Sequence, residues 1–216
     1  YGWDVSVLTV VPRAYESILI QNLELVPEHV QVLRAQAWDA ARHLGILGRY
    51  PSALARPDRW SSWIPFAITK ALWAIHRDGF DAIFSTFPIA SAHVVARRLR
   101  LSTRIPWIAD FRDPMATDTY PFEPAVRRRW RSIQDDVVRE SDRVTVTTEG
   151  AARLYRRMYP ECDPAKFIVI ENGFDPDLFA GLSGGTSERQ GPGGPIRLLH
   201  SGILYPRERD PVPFLR

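Results

Sequence analysis

Along most of the chain, short continuous apolar runs alternate with longer stretches in which apolar residues recur at helical spacing. Asp4 to Val11, DVSVLTVV, is a β-branched run that predicts a buried strand, and a second short strand is expected near His29 to Ala35. Between Ala37 and Ser62 the pattern is least regular: a short helix within WDAARHLGIL, then an irregular segment rich in Pro and Arg. Ser62 predicts an N-cap for a helix that Gly79 ends, with Ile68, Leu72 and Ile75 on its apolar face. Strands are then expected at Asp81–Phe87, Ile105–Phe111, Arg143–Thr148 and Lys166–Asn172. The intervening helices should run from Pro88 to about Leu101, from Glu123 to Ser141 and from Glu149 to Met158. Strands that are continuously apolar, and separated by helices, imply an α/β fold with a parallel sheet covered by helices on both faces.

The alternation stops at Ala180 to Pro195, AGLSGGTSERQGPGGP, which has no apolar periodicity and the composition of a linker. IRLLHSG then restarts a strand and RDPVPFLR begins a helix. The expected organisation is one domain over 1–179, a linker over 180–195 and the start of a second α/β domain over 196–216. The opening Tyr1-Gly2-Trp3 has no initiator methionine and reads as the tail of a helix-to-strand turn, so the sequence is expected to be a fragment.

Composition narrows the function classes. The net charge is only +3, with 28 basic residues set against 25 acidic ones along the whole length, which argues against a dedicated nucleic-acid surface. Cys162 is the single cysteine, so no intrachain disulfide forms and the expected location is the cytoplasm. No apolar run approaches the length of a membrane span. Two segments mix aromatics with arginines: Arg59, Trp60 and Trp63 in RWSSWIPF, and Arg127, Arg128, Arg129 and Arg131 around Trp130. Such a mixture suits either an anionic membrane surface or a solvated helix face with an anchoring tryptophan.

In an open parallel sheet, ligands bind beyond the carboxyl ends of the strands, which makes the strand-end loops the candidate sites. WIADFRDP places Asp110, Arg112 and Asp113 at such an end. Either they form a local Asp–Arg–Asp clamp, or they face the crevice. The D-x-x-D spacing is not the D-x-D of metal-dependent sugar transfer, and no metal is expected. Ser85 and Thr86 precede a helix whose first N–H groups could hold an anion. His93, in the second turn beside Ile89, Ala92 and Ala96, is either a packed side chain or a ligand contact. Thr148 is a plausible N-cap, which gives Glu149 a simple role in compensating the helix dipole. Asn172-Gly173 allows a tight turn, with Asp175 and Asp177 able to cap the next segment of chain.

The order of these pieces is more specific than any one of them. DFRDP, then DRVTVTTEGAARLY, then FIVIENGFDPDLF, then a Gly-rich linker and LLHSGILYPRERDP resembles the amino-terminal half of a retaining GT-B-fold glycosyltransferase of the family-4 group. The resemblance is strongest from Asp81 to Pro211 and weak from Pro12 to Ser62. It implies two Rossmann-like domains, the first binding an acceptor and the second a nucleotide-diphosphate sugar, and transfer of the sugar to an acceptor hydroxyl with retention and without a cofactor. It further implies carbohydrate or lipid-linked acceptors in envelope or surface polysaccharide synthesis, with peripheral contact at the inner membrane face. Asp110 and Asp113 become candidates for orienting the acceptor hydroxyl, and Thr86, His93, Arg112, Glu149 and Asn172 for binding substrate. Gly202 with Arg207 or Arg209 would meet the donor diphosphate. Many relatives carry a histidine where this chain has Arg112, and arginine cannot act as a base. The resemblance also implies that the first strand and the donor domain are missing, so that the polypeptide alone would be inactive. The alternatives are a nucleotide-sugar 2-epimerase-like enzyme on the same fold and a non-catalytic flavodoxin-like binding domain.

Overall fold

The computed structural model of the chain describes residues 2–15, 18, 25–43, 56–174, 176, 199–202 and 210–215. They fall in two compact units, Tyr1–Asn172 and Gly173–Arg216. The first contains strands β1 (Ser6–Val10), β2 (Gln31–Ala35), β3 (Ile83–Thr86), β4 (Trp107–Phe111), β5 (Arg143–Val146) and β6 (Phe167–Val169). Its helices are α1 (Ala40–His43), α2 (Trp63–Asp78), α3 (Ala90–Thr103), α4 (Pro124–Glu140) and α5 (Glu149–Met158). In the second unit the described residues include one short helix, α6 (Val212–Leu215), whose first N–H donates to Asp210 Oδ1 at 3.0 Å.

Every strand pairing is parallel, as the unbroken apolar runs imply. The expected single sheet is instead two ladders among the described residues: β1–β2, and β3–β4–β5–β6 in that order. Helix packing joins them. Val10 and Ala35 from the smaller ladder share a core with Trp63, Ala67 and Ala71 of α2 and Val95 and Leu99 of α3. The opposite side of α3 delivers Ala90 and Ala96 to the larger core, where Trp107, Phe111, Val144 and Val146 meet Val137 and Val138 of α4 and Tyr155 of α5.

The two faces of the larger sheet are buried to different extents. The face carrying Ser85, Ala109 and Val144 is buried under helices, whereas Phe84 on the other face is 62% exposed and Ile168 is 40% exposed. Continuous apolar text therefore marks strands correctly here without implying equal burial of both sides.

Local signals set most boundaries. Gly79, with φ 72°, ends α2 at the conformation glycine adopts without strain. Thr148 Oγ1 accepts the Ala151 N–H at 3.1 Å and caps α5 as expected. Ser62 does not cap α2: it has helical φ and ψ, and its hydroxyl is used to pin the Trp38 backbone, accepting from the N–H and donating to the carbonyl at 2.8 Å each. In the irregular region, the described helix is only α1, which Asp39 opens by accepting the Ala41 N–H. The linker over 180–195 lies outside the described residues, as does most of the strand expected after it.

Candidate functional site

Parallel register dictates the centre of the site. Thr86, Asp110 and Thr145 are in-register neighbours on three adjacent strands, so their side chains share one face at the carboxyl ends of β3, β4 and β5. Thr86 Oγ1 donates to Asp110 Oδ2 and Thr145 Oγ1 donates to Asp110 Oδ1, both at 2.7 Å. Each oxygen of the carboxylate thus has a hydroxyl donor, and the aspartate is held in one orientation.

Beyond Asp110 the chain arches outward between two anchors. Phe111 on one side and Met115 and Ala116 on the other are fully buried. Gln134 fastens the returning limb: its Oε1 accepts the Ala116 N–H at 2.9 Å and the Tyr155 hydroxyl at 3.2 Å, and its Nε2 donates to the Ala116 carbonyl and to Tyr159 Oη. Burial raises the ionisation of both Tyr155 and Tyr159 well above the ordinary tyrosine range, so these hydroxyls stay protonated. Between the anchors Arg112 and Asp113 are both exposed.

The clamp considered for this loop does not form. Arg112 Nη2 donates to Asn172 Oδ1 at 2.5 Å and its carbonyl accepts the Thr147 hydroxyl at 2.9 Å, while neither aspartate pairs with the guanidinium. Arg112 therefore ties the β4 exit to the last residue of the first unit. Asp113 is left without a hydrogen bond or ion pair among the described residues. Glu149 is exposed in the first turn of α5, 3.9 Å from Arg156 of the same helix, and joins none of these bonds.

His93 lies elsewhere. It is completely buried, with Nδ1 2.7 Å from Ser85 Oγ, while Trp107 Nε1 donates to that same oxygen at 2.8 Å. Its ring sits 4.8 Å from that of Phe111, centre to centre. Burial pushes the imidazole down to about 3, so it is neutral across the physiological range. The packed alternative is the one the fold adopts. The start of α3 is likewise no open anion site, because Asp58 occupies it: its Oδ2 accepts the Ser91 N–H at 2.7 Å and its Oδ1 the Trp60 N–H at 2.9 Å.

The tryptophans of the two basic-aromatic segments turn inward. Trp63 is buried, Trp60 meets the Tyr15 ring at a tilt of 56° with centroids 5.3 Å apart, and Trp130 Nε1 donates to the Pro57 carbonyl at 2.8 Å. Arg131 pairs with Asp118 at 3.2 Å, and both line a groove of about 620 Å³ along α4 whose walls carry arginines and aspartates. Gly202 lies in the second unit, exposed, with φ 147°. Arg207 and Arg209 lie outside the described residues.

Sequence reasoning missed Thr145, Thr147 and Asp58. The signal for the threonines was the polar alternation inside RVTVTT, where a wholly apolar strand would be expected; the link from Asp58 to α3 carried no local signal, since Ser91 is 33 residues away.

A parallel α/β unit with a polar constellation at its strand ends is common to many enzymes, and comparison with known families decides among them. The model of the glycosyl transferase 4-like domain matches residues 1–173. The chain belongs to this family. The match spans the whole first unit, and it carries with it glycosyl transfer in general: binding of a sugar donor and of an acceptor. The parallel α/β architecture is that of a Rossmann-like GT-B domain. No curated protein matches the chain. Among the described residues no helix is long and apolar enough to cross a membrane.

Proposed function

We propose that this glycosyl transferase 4-like domain is the acceptor side of an enzyme that moves a sugar from a nucleotide-diphosphate sugar to an acceptor hydroxyl with retention. The acceptor is a lipid-linked saccharide or glycolipid of envelope or surface polysaccharide synthesis, and no cofactor takes part. The observation that carries the reading is Asp113, a carboxylate held out on an anchored arch at the strand ends with no hydrogen bond or ion pair among the described residues. A carboxyl group presented there is placed to accept a hydrogen bond from an incoming hydroxyl. Asp110, saturated by two threonine hydroxyls, acts as a positioning residue that fixes the exit of β4. Arg112 and Asn172 hold the edge of the acceptor crevice. Residues 1–179 form the acceptor domain. Residues 196–216 begin the donor domain, where Gly202, Arg207 and Arg209 meet the diphosphate and stabilise the charge that develops on the leaving group.

The test is steady-state transfer in the native full-length polypeptide with saturating donor. Asp113→Ala should lower kcat by roughly 100-fold, the cost of a misplaced reacting group, with the fold intact by circular dichroism. Asp110→Asn should give a smaller loss. Unchanged rates for Asp113→Ala in a folded protein would sink the assignment, and an inverted anomeric configuration in the product would remove retention.

A further inference from the structure

Although the tryptophans of the two basic-aromatic segments pack inward, a different aromatic set faces out. Trp38, Phe66 and Trp73 are 40%, 39% and 54% exposed. On α2, Phe66, Lys70, Trp73 and Arg77 recur at intervals of four, three and four residues. That spacing places them within an arc of roughly 60° on one helix face. Aromatic and cation alternate along it, and Arg77 lies over the Trp73 ring at 4.2 Å.

The stripe continues beyond the helix. Trp38 meets Phe66 edge-on with centroids 5.4 Å apart. Next to Trp38, Gln36 accepts from Arg13 at 2.5 Å, and Arg42 donates to the Tyr15 carbonyl at 2.5 Å. Tyr15 is itself exposed. These residues belong to the segments that leave the carboxyl ends of β1 and β2. Basic groups predominate among the described residues named on this surface: Arg13, Arg42, Lys70 and Arg77 are basic, Asp39 is buried under Arg59, and Asp78 pairs with Arg77.

We infer that this face, from Tyr15 through Trp38 to the outer stripe of α2, docks the protein on an anionic lipid surface. Amphipathic rings with one polar edge settle at the headgroup level, and long cationic stems reach the lipid phosphates. A second copy of the chain is a poorer occupant, because facing the stripe with itself would set like charges together. The inference rests on the reading that the acceptor is lipid-linked, for which such docking brings the crevice to its substrate.

Flotation of the native polypeptide with vesicles tests it, in the absence of donor and acceptor, so that vesicle binding stands or falls separately from sugar transfer. The protein should float with phosphatidylcholine vesicles containing phosphatidylglycerol, stay behind with phosphatidylcholine alone, and be released by high salt. Lys70→Gln and Arg77→Gln should each weaken binding by roughly fivefold, and Phe66→Ser with Trp73→Ser should abolish it while leaving turnover on a detergent-solubilised acceptor unchanged. Absence of wild-type flotation overturns the proposal without reference to any variant. So does flotation that the four substitutions leave unaltered, or sedimentation showing that they dissolve a dimer and nothing else.

Discussion

His93 shows how a single buried residue couples this fold to pH. Its folded value of about 3 lies below the ordinary 6.5, so between those limits the unfolded chain binds a proton that the native state refuses. The contribution is therefore fully present above pH 6.5 and is lost as pH falls toward 3, at up to about 1.4 kcal/mol per pH unit. His93→Gln should keep a partner for Ser85 and flatten this acid limb. Urea midpoints at pH 7, 6 and 5 would check it, and a variant as acid-sensitive as the wild type would refute it. Burial moves Asp58 the opposite way, raising its carboxyl, so its contribution strengthens on acidification and offsets part of the loss. At this scale the sequence was a partial guide. DFRDP announced charges at a strand exit, yet their partners depend on register and on residues up to 60 positions away, as with Arg112 and Asn172. No local pattern encodes that.

Elements were more legible, because period and punctuation act within a few residues. Gly79 and Thr148 ended and capped the helices they adjoin, since glycine's free φ and a threonine hydroxyl three residues ahead of an N–H are local facts. Ser62 misled for the opposite reason: Trp38 recruits its hydroxyl from 24 positions away. Helix α3 obeys the same rule. The Ile89 side chain supplies no cap, and Asp58 substitutes for one from outside the helix by accepting from the N–H and Oγ of Ser91. Asp58→Ala should cost about 1–2 kcal/mol, the usual worth of an N-cap, whereas Asp58→Asn, which keeps an acceptor, should cost less. Chemical denaturation of the two variants checks the order, and equal losses would mean that charge rather than capping is what α3 requires. At the amino end of β4, Asp142 accepts the Trp107 N–H at 2.8 Å and pairs with Arg100 of α3 at 3.0 Å, so the carboxyl end of α3 is tied to the sheet.

Within the first unit as a whole, α3 is the member both ladders share. Its Ala90 and Ala96 side belongs to the core of β3 to β6, and its Val95 and Leu99 side to the core that holds β1, β2 and α2. No backbone bonds join the ladders among the described residues, so the smaller one depends on apolar burial against α2 and α3. Substitutions on the two sides of one helix should therefore act on different regions. Leu99→Ala removes packing from the α2 side, at about 2–5 kcal/mol for a buried leucine. Amides of Ser6–Val10 and Gln31–Ala35 should then exchange markedly faster, while those of Ile108 to Phe111, embedded between β3 and β5, should keep most of their protection. Hydrogen exchange resolved by residue reads both regions in one sample. Equal acceleration throughout would show that the unit opens as one cooperative body, and that the two cores, separate in their packing, are not separate in their energetics.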